Sequence, residues 1–205
     1  ARAGGFVDDM NVTVVNLNTF ETVATTTGPG GDFYLNLTPD DEFEVVVERR
    51  GFFSQSVPVS TMGLKDGVLD LNSIRPLVFD VAEVGKPLIL DKVSWSGSSD
   101  RLDGISKTQV ELLAERLMIN PSMMIEIGVH TDSRGESATN LGISQIRAER
   151  VKEHLILNGI REDRIQAKGY GSSRVINKCI PGVECTEEEH AKNSRLEYIV
   201  TGYFQ

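Results

Sequence analysis

Two charged side chains have the chemistry to grip a ligand: Asp132, in the segment His130-Thr131-Asp132-Ser133-Arg134-Gly135, and Arg147, fifteen positions later. The segment follows an alternating apolar run, Ile125, Ile127 and Val129. Asp132 is therefore expected on a loop at the end of a buried strand, where an α/β layer presents its binding groups. Asn140, Ser144 and Arg147 are spaced four and three apart, which on a helix gives one polar face within about 10 Å of axis. Ile143, Ile146, Ala148, Val151 and Leu155 are expected to form the opposite, apolar stripe that holds this helix on its sheet. A carboxylate and a guanidinium held near each other can pair as a structural salt bridge. They can also form a split socket for a zwitterion, Asp132 accepting from an ammonium and Arg147 gripping a carboxylate with its two-pronged fork. Spacing alone admits both.

Catalysis has weaker support. His130, His154 and His190 fall in three separate segments without metal-ligand spacing, and no Ser or Cys sits in a nucleophile-type turn. No enzyme activity, metal or cofactor is expected, and His130 reads as a strand-end residue. Trp95 and the pair Phe52-Phe53 read as core. Cys179 and Cys185 share a turn-rich stretch with Pro181 and Gly182. They are spaced to pair with each other. Two free thiols are the alternative, and a metal site would want more ligands than His190 adds.

The elements that must position these groups change character along the chain. Up to residue 80, short alternating runs at 12–17, 22–27, 33–37, 43–48 and 54–59 are broken by turn residues at intervals of roughly ten, the pattern of an all-β sandwich. After a short polar connection over 81–86, a second domain is expected over 87–205, with the order β-α-β-α-β-β. Its strands are read at 88–95, 123–129, 165–168 and 196–200 and its helices at 105–119 and 140–158, the latter ended by Gly159. The fold class is thus two domains, a sandwich followed by an α/β unit with a mixed sheet and helices over one face.

Composition narrows the partners. With 205 residues and 40% hydrophobic content the chain can bury two small cores. Its formal net charge of -9, with the acidic residues spread along the chain, argues against unaided binding to nucleic acid or anionic lipid. No run of apolar residues is long enough for a spanning helix, and Ala1-Arg2-Ala3-Gly4 does not begin a signal peptide. More chain, such as a lipoprotein anchor, is expected before Ala1.

The ordered set His130-Thr131-Asp132, Gly135, Asn140, Ser144, Arg147-Ala148, Val151, Leu155, Gly159-Ile160, Arg164, Gly169-Tyr170-Gly171, Asn193 and Arg195-Leu196-Glu197 resembles the C-terminal domain of the OmpA, Pal and MotB group. The resemblance covers residues 87–201. It implies a non-catalytic domain that binds peptidoglycan, with Asp132 and Arg147 holding the amino-carboxylate end of meso-diaminopimelate in the stem peptide. Thr131, Asn140 and Arg195 are implied as further ligand-binding residues, with Asp100 a weaker member. Val129, Ser172 and Ser194 depart from the family pattern, and Ser194 removes a positive charge at the rim. The Cys179 to Cys185 loop fits periplasmic members with a disulfide.

Residues 1–80, with Gly31-Asp32-Phe33 and Gly51-Phe52, resemble the carboxypeptidase regulatory-like family. The domain pair is similar to the C-terminal part of PorE-like envelope proteins of type IX secretion. The resemblance therefore implies a periplasmic, outer-membrane-associated location and other envelope or secretion-complex proteins as partners. An interaction module with only structural Asp132–Arg147 pairing is the rival reading.

Overall fold

The computed structural model describes residues 9–64, 67–74, 77–95 and 99–204. Ala1 to Gly4 lie outside that set. The chain divides into two compact units, Ala1–Glu83 and Val84–Gln205. Among the described residues no helix is long and apolar enough to cross a membrane.

The first unit is β-rich. Its strands β1 (Asn11–Asn16), β2 (Thr22–Thr26), β3 (Glu42–Glu48) and β4 (Gln55–Ser60) form one antiparallel sheet in the order β2-β1-β3-β4. Alternation puts Val12 and Val14 on the same face as Phe43, Val45, Val47, Val57 and Val59, and pairs such as Val12 with Val47 and Phe43 with Val59 stand opposite each other. These cross-strand contacts build the core.

The second sheet expected of a sandwich is not formed among the described residues. The run 33–37 has the predicted alternation, and Phe33, Leu35 and Leu37 pack on the core, but it joins no ladder. A segment lying across the face of a sheet cannot reach the ladder, which runs edge to edge. Helix α1 (Leu71–Ile74), Leu77 and Phe79 extend this covering layer. The residues read as a free connection are hydrogen-bonded. Phe53 N donates to Asp80 O and Ala82 N to Gly51 O in the first unit, while Gly85 N donates to Val200 O in the second.

The second unit contains β5 (Pro87–Ile89), α2 (Gly104–Met118), β6 (Met123–His130), α3 (Ser137–Leu157), β7 (Ile165–Gly171), α4 (Glu187–Ala191) and β8 (Leu196–Tyr203). Its mixed sheet has the order β5-β8-β6-β7, with only β6 and β7 parallel. The first strand is shorter than the expected 88–95, because Lys92 turns the chain with φ 60. Asp103 caps α2, its carboxylate accepting from Ser106 N at 2.7 Å, and Val110, Leu113, Ala114 and Leu117 give that helix its buried stripe.

Helix α3 departs from expectation in a way that matters for the site. Its buried residues are Asn140, Ser144, Arg147, Ala148, Val151 and Leu155, while Ile146 is half exposed. The polar and apolar stripes are therefore one continuous inward face, polar in the first half and apolar in the second, rather than two opposite faces. The motif Gly169-Tyr170-Gly171 allows this packing. A Cβ on Gly169 would lie 2.2 Å from Gln145 N, and one on Gly171 2.9 Å from Leu141 N. At the far end Gly159 N donates to Ile156 O and Ile160 N to Leu155 O, the paired bonds of a Schellman cap, with Gly159 at φ 88.

Candidate functional site

The loop after β6 is held from three sides. Thr131 N donates to Gly171 O at 3.0 Å, His130 N to Arg195 O at 2.9 Å, and Asn140 Nδ2 to Arg134 O at 2.9 Å. Thr131 is buried and its hydroxyl donates to Asp132 O at 2.9 Å. Ser144 links helix to strand, accepting from Gly171 N at 2.8 Å and donating to Leu141 O at 2.9 Å. Thr131 and Asn140 thus shape the loop by holding backbone.

Asp132 emerges from this frame with its side chain 19% exposed. Its carboxylate accepts from Arg134 three times: from the backbone N at 2.9 Å, from Nε at 3.1 Å and from Nη2 at 2.7 Å. Among the described residues its ion pair is with Arg134, not with Arg147 as the structural reading of the sequence had it. The i, i+2 neighbour can close a turn onto the carboxylate before any partner from the helix competes. Burial opposes ionisation of Asp132, but the Arg134 hydrogen bonds outweigh it and hold the carboxyl below its ordinary range. Arg134 also reaches Glu187, at the start of α4, with Nη1 at 2.8 Å. This short helix was not anticipated, although its signal was present: Thr186 and Glu189 form a capping box.

Arg147 is only 4% exposed. Its Nε donates to Ser99 O at 2.9 Å, and its guanidinium carbon lies 4.9 Å from the centroid of the Trp95 ring. Burial presses its pKa down and the charge of Asp100 presses it up. Long helical side chains slant toward the N-terminus, which carries this guanidinium back toward the loop end of α3. Asp100 pairs with Arg150 at 2.9 Å, so residues 99 and 100 are stitched to α3 at two positions three residues apart, Arg147 and Arg150. A cleft lined by Asp100, Arg101, Lys107, Arg150, Glu153 and His154 adjoins the stitch.

Arg195 is buried behind the loop. It lies 3.2 Å from Glu197 and donates to the carbonyls of Arg174 and Asn193. Glu197 in turn lies 3.0 Å from His130 Nε2, and His130 stacks on Tyr170 at 4.9 Å. Burial, reinforced by the charge of Arg195 and opposed by Glu197, lowers the pKa of His130. Asn193 ties the neighbouring loop, accepting from Ile176 N and donating to Asn177. That loop contains a Cys179–Cys185 disulfide with a Cα separation of 5.9 Å. Arg164 closes the end of α2, donating to the carbonyls of Leu117, Asn120 and Met123.

Sequence reasoning missed Arg134 and placed Trp95 in the core. Trp95 is instead half-buried against Arg147. Nothing in local spacing distinguishes these roles, since each depends on which segments the fold brings together.

Residues 96–187 match the family model of the OmpA family. Outer membrane porin F of Pseudomonas fluorescens is 38% identical over 96 residues, covering 47% of this chain and 28% of that protein. The peptidoglycan-associated lipoprotein of Legionella pneumophila is 33% identical over 90 residues, covering 44% and 48%. The crystal structure of the peptidoglycan-associated lipoprotein from Burkholderia pseudomallei superposes with a TM-score of 0.47 at 26% identity, covering 52% of this chain and 86% of that one. The chain spans less than half the length of these two sequence relatives. The stretch that is similar to the OmpA family lies within the mixed-sheet unit and carries both Asp132 and Arg147.

Proposed function

We propose that the second unit binds peptidoglycan non-covalently through the meso-diaminopimelate of the stem peptide and so anchors an envelope protein to the cell wall. Asp132 takes the ammonium of the ligand and Arg147 its carboxylate, without catalysis. The observation that carries this reading is the pair of opposite charges held by the frame around α3: an ionised, partly exposed Asp132 on an anchored loop and a buried Arg147 on the helix that the loop touches through Asn140. A ligand carboxylate is a chemically suitable partner for the planar guanidinium fork of Arg147. Thr131, Asn140 and Arg195 act as positioning residues, and Asp100 steadies the 99–100 segment. The relatives whose printed names include peptidoglycan association support the ligand class.

On this reading the protein works in the periplasm, associated with the outer membrane. The first unit is a carboxypeptidase regulatory-like domain in a PorE-like envelope protein of type IX secretion, where other envelope or secretion-complex proteins are the partners. Gly51 at φ 91 and Gly31 at φ 81, in the two turns that carry the resemblance, are in keeping with that assignment. Co-sedimentation with purified sacculi tests the main proposal. The full chain and a piece comprising residues 84–205 should both sediment, and an Asp132→Ala, Arg147→Ala double variant should stay in solution. Sedimentation of the double variant at the parent level would remove the socket from the proposal.

A further inference from the structure

The chain has one tryptophan, and it lies against the buried arginine of the candidate socket. Trp95 is held firmly from its own side. Ser94 N donates to Ser106 Oγ at 3.1 Å, and that hydroxyl donates back to Ser94 O at 3.2 Å, which locks the backbone preceding Trp95 to the first turn of α2. Val93 is buried beside it. The ring is therefore presented to α3 from a fixed support, and Arg147 Cζ lies 4.9 Å from its centroid. A planar guanidinium against an aromatic face loses freedom of rotation and is held by the ring quadrupole. Ser99 O, accepting from Nε at 2.9 Å, fixes one edge of the same group. The indole Nε1–H is buried and has no hydrogen-bond partner among the described residues. An unmatched buried donor is uncommon in a native fold and calls for an explanation.

We propose that Trp95 is a specificity-determining residue of this domain: its ring sets the orientation of Arg147 for the ligand carboxylate, and its indole N–H is a second donor for that carboxylate. The inference rests on the proposed assignment of ammonium to Asp132 and carboxylate to Arg147, and deepens it. Lysine stem peptides lack the carboxylate that distinguishes diaminopimelate, so Trp95 contributes to discrimination between the two and not to recognition of the ammonium.

The test uses the full chain and two stem peptides that differ only in diaminopimelate or lysine at the third position. Binding is followed by calorimetry and, in parallel, by the emission of the single tryptophan. The diaminopimelate peptide should change the emission saturably, at the concentration where heat saturates, because a carboxylate has arrived at the cation facing the ring. The lysine peptide should leave it nearly unchanged. Trp95→Phe keeps an aromatic face and lacks the N–H, and is expected to weaken diaminopimelate binding roughly 2- to 10-fold, the range of one net hydrogen bond. Trp95→Leu removes the ring as well and should weaken binding roughly tenfold or more, the range of a desolvated cation–π contact. In both variants binding of the lysine peptide stays near the parent value. If the diaminopimelate peptide binds by calorimetry while emission is unmoved and Trp95→Phe keeps parent selectivity, the role given to Trp95 is wrong and the socket stands. If neither peptide gives heat with the parent protein, the socket itself fails and this inference with it.

Discussion

Arg134 and Asp132 form a closed turn in which the arginine gives its backbone N–H and two side-chain N–H groups to the carboxylate two residues before it, while its remaining terminal nitrogen holds Glu187. The carboxylate proposed to accept a ligand ammonium already has a resident cation. Because that cation is about half exposed, the ion pair contributes little to stability. Its consequence is electrostatic. Replacing Arg134 with Ala removes the side-chain hydrogen bonds and the charge that lower the Asp132 pKa, keeps the backbone N–H bond, and leaves the burial that raises it. The Asp132 carboxyl should therefore titrate at higher pH in Arg134→Ala than in the parent, by carbon-detected NMR. An unchanged titration would show that the loop backbone, not Arg134, sets the charge state.

Asp132 and Arg147 should fail differently as ligand contacts. Truncating either leaves a ligand charge uncompensated, a loss of about 2 to 5 kcal/mol. Arg147→Ala should also erase the preference for diaminopimelate over lysine stem peptides, whereas Asp132→Ala should weaken both peptides by similar factors, since both carry an ammonium. Calorimetric titration of the two variants decides the matter. Arg147→Ala with parent affinity and selectivity would make Arg147 a purely structural residue.

His130 gives the protein a pH dependence of definite sign. Burial lowers its folded-state pKa below the ordinary 6.5, with the charge of Arg195 adding and Glu197 opposing. Between the folded and unfolded pKa values the unfolded chain binds more protons, so stability is lost as the pH falls through 6.5 and levels off below the folded pKa. The urea midpoint should decline from about pH 7.5 to about pH 5.5, the range over which an ordinary histidine titrates. His130→Gln should flatten that decline, and an equally steep decline in the variant would assign the effect to other groups.

Gly169 tolerates no side chain while α3 keeps its place, because the new Cβ would meet backbone atoms of Ser144 and Gln145 rather than a movable side chain. Gly169→Ala should cost about 2 kcal/mol or more in denaturant unfolding, near the upper end of overpacking penalties. A change below about 0.5 kcal/mol, the usual surface value, would mean that helix and strand separate more easily than this packing implies.

Reducing the Cys179–Cys185 bond opens a small loop. The chain-entropy relation gives about 2 kcal/mol for a closure of this length, so Cys179→Ser with Cys185→Ser should lower stability by roughly that amount. Alkylation of the native protein without reductant should add no mass. Two added alkyl groups would contradict the bond.

Much of the second unit was legible because periodicity reports which side of an element faces inward. Val110, Leu113 and Leu117 marked α2, Ile125 and Ile127 marked β6, and Gly159 marked the end of α3 through its left-handed backbone. The same signal has limits. It placed Phe33, Leu35 and Leu37 on the core but could not tell a segment lying over a sheet from one paired within it, since alternation is the same and only the backbone partners differ. It separated the two stripes of α3 by residue type, whereas the fold buries Asn140, Ser144 and Arg147 in line with Val151 and Leu155. It located Asp132 and Arg147 but not their partners. Those are Arg134, reaching Glu187 across 53 positions, and Trp95 and Ser99, the latter 48 positions from Arg147. By itself the sequence determined which groups carry charge, where α2, α3 and most of the strands of the second unit lie, and which residues of α2 and β6 face inward. Only the tertiary structure decided which of those groups meet, because contacts between distant segments depend on how β6, β7 and α3 close on one another, and local periodicity carries no record of that closure.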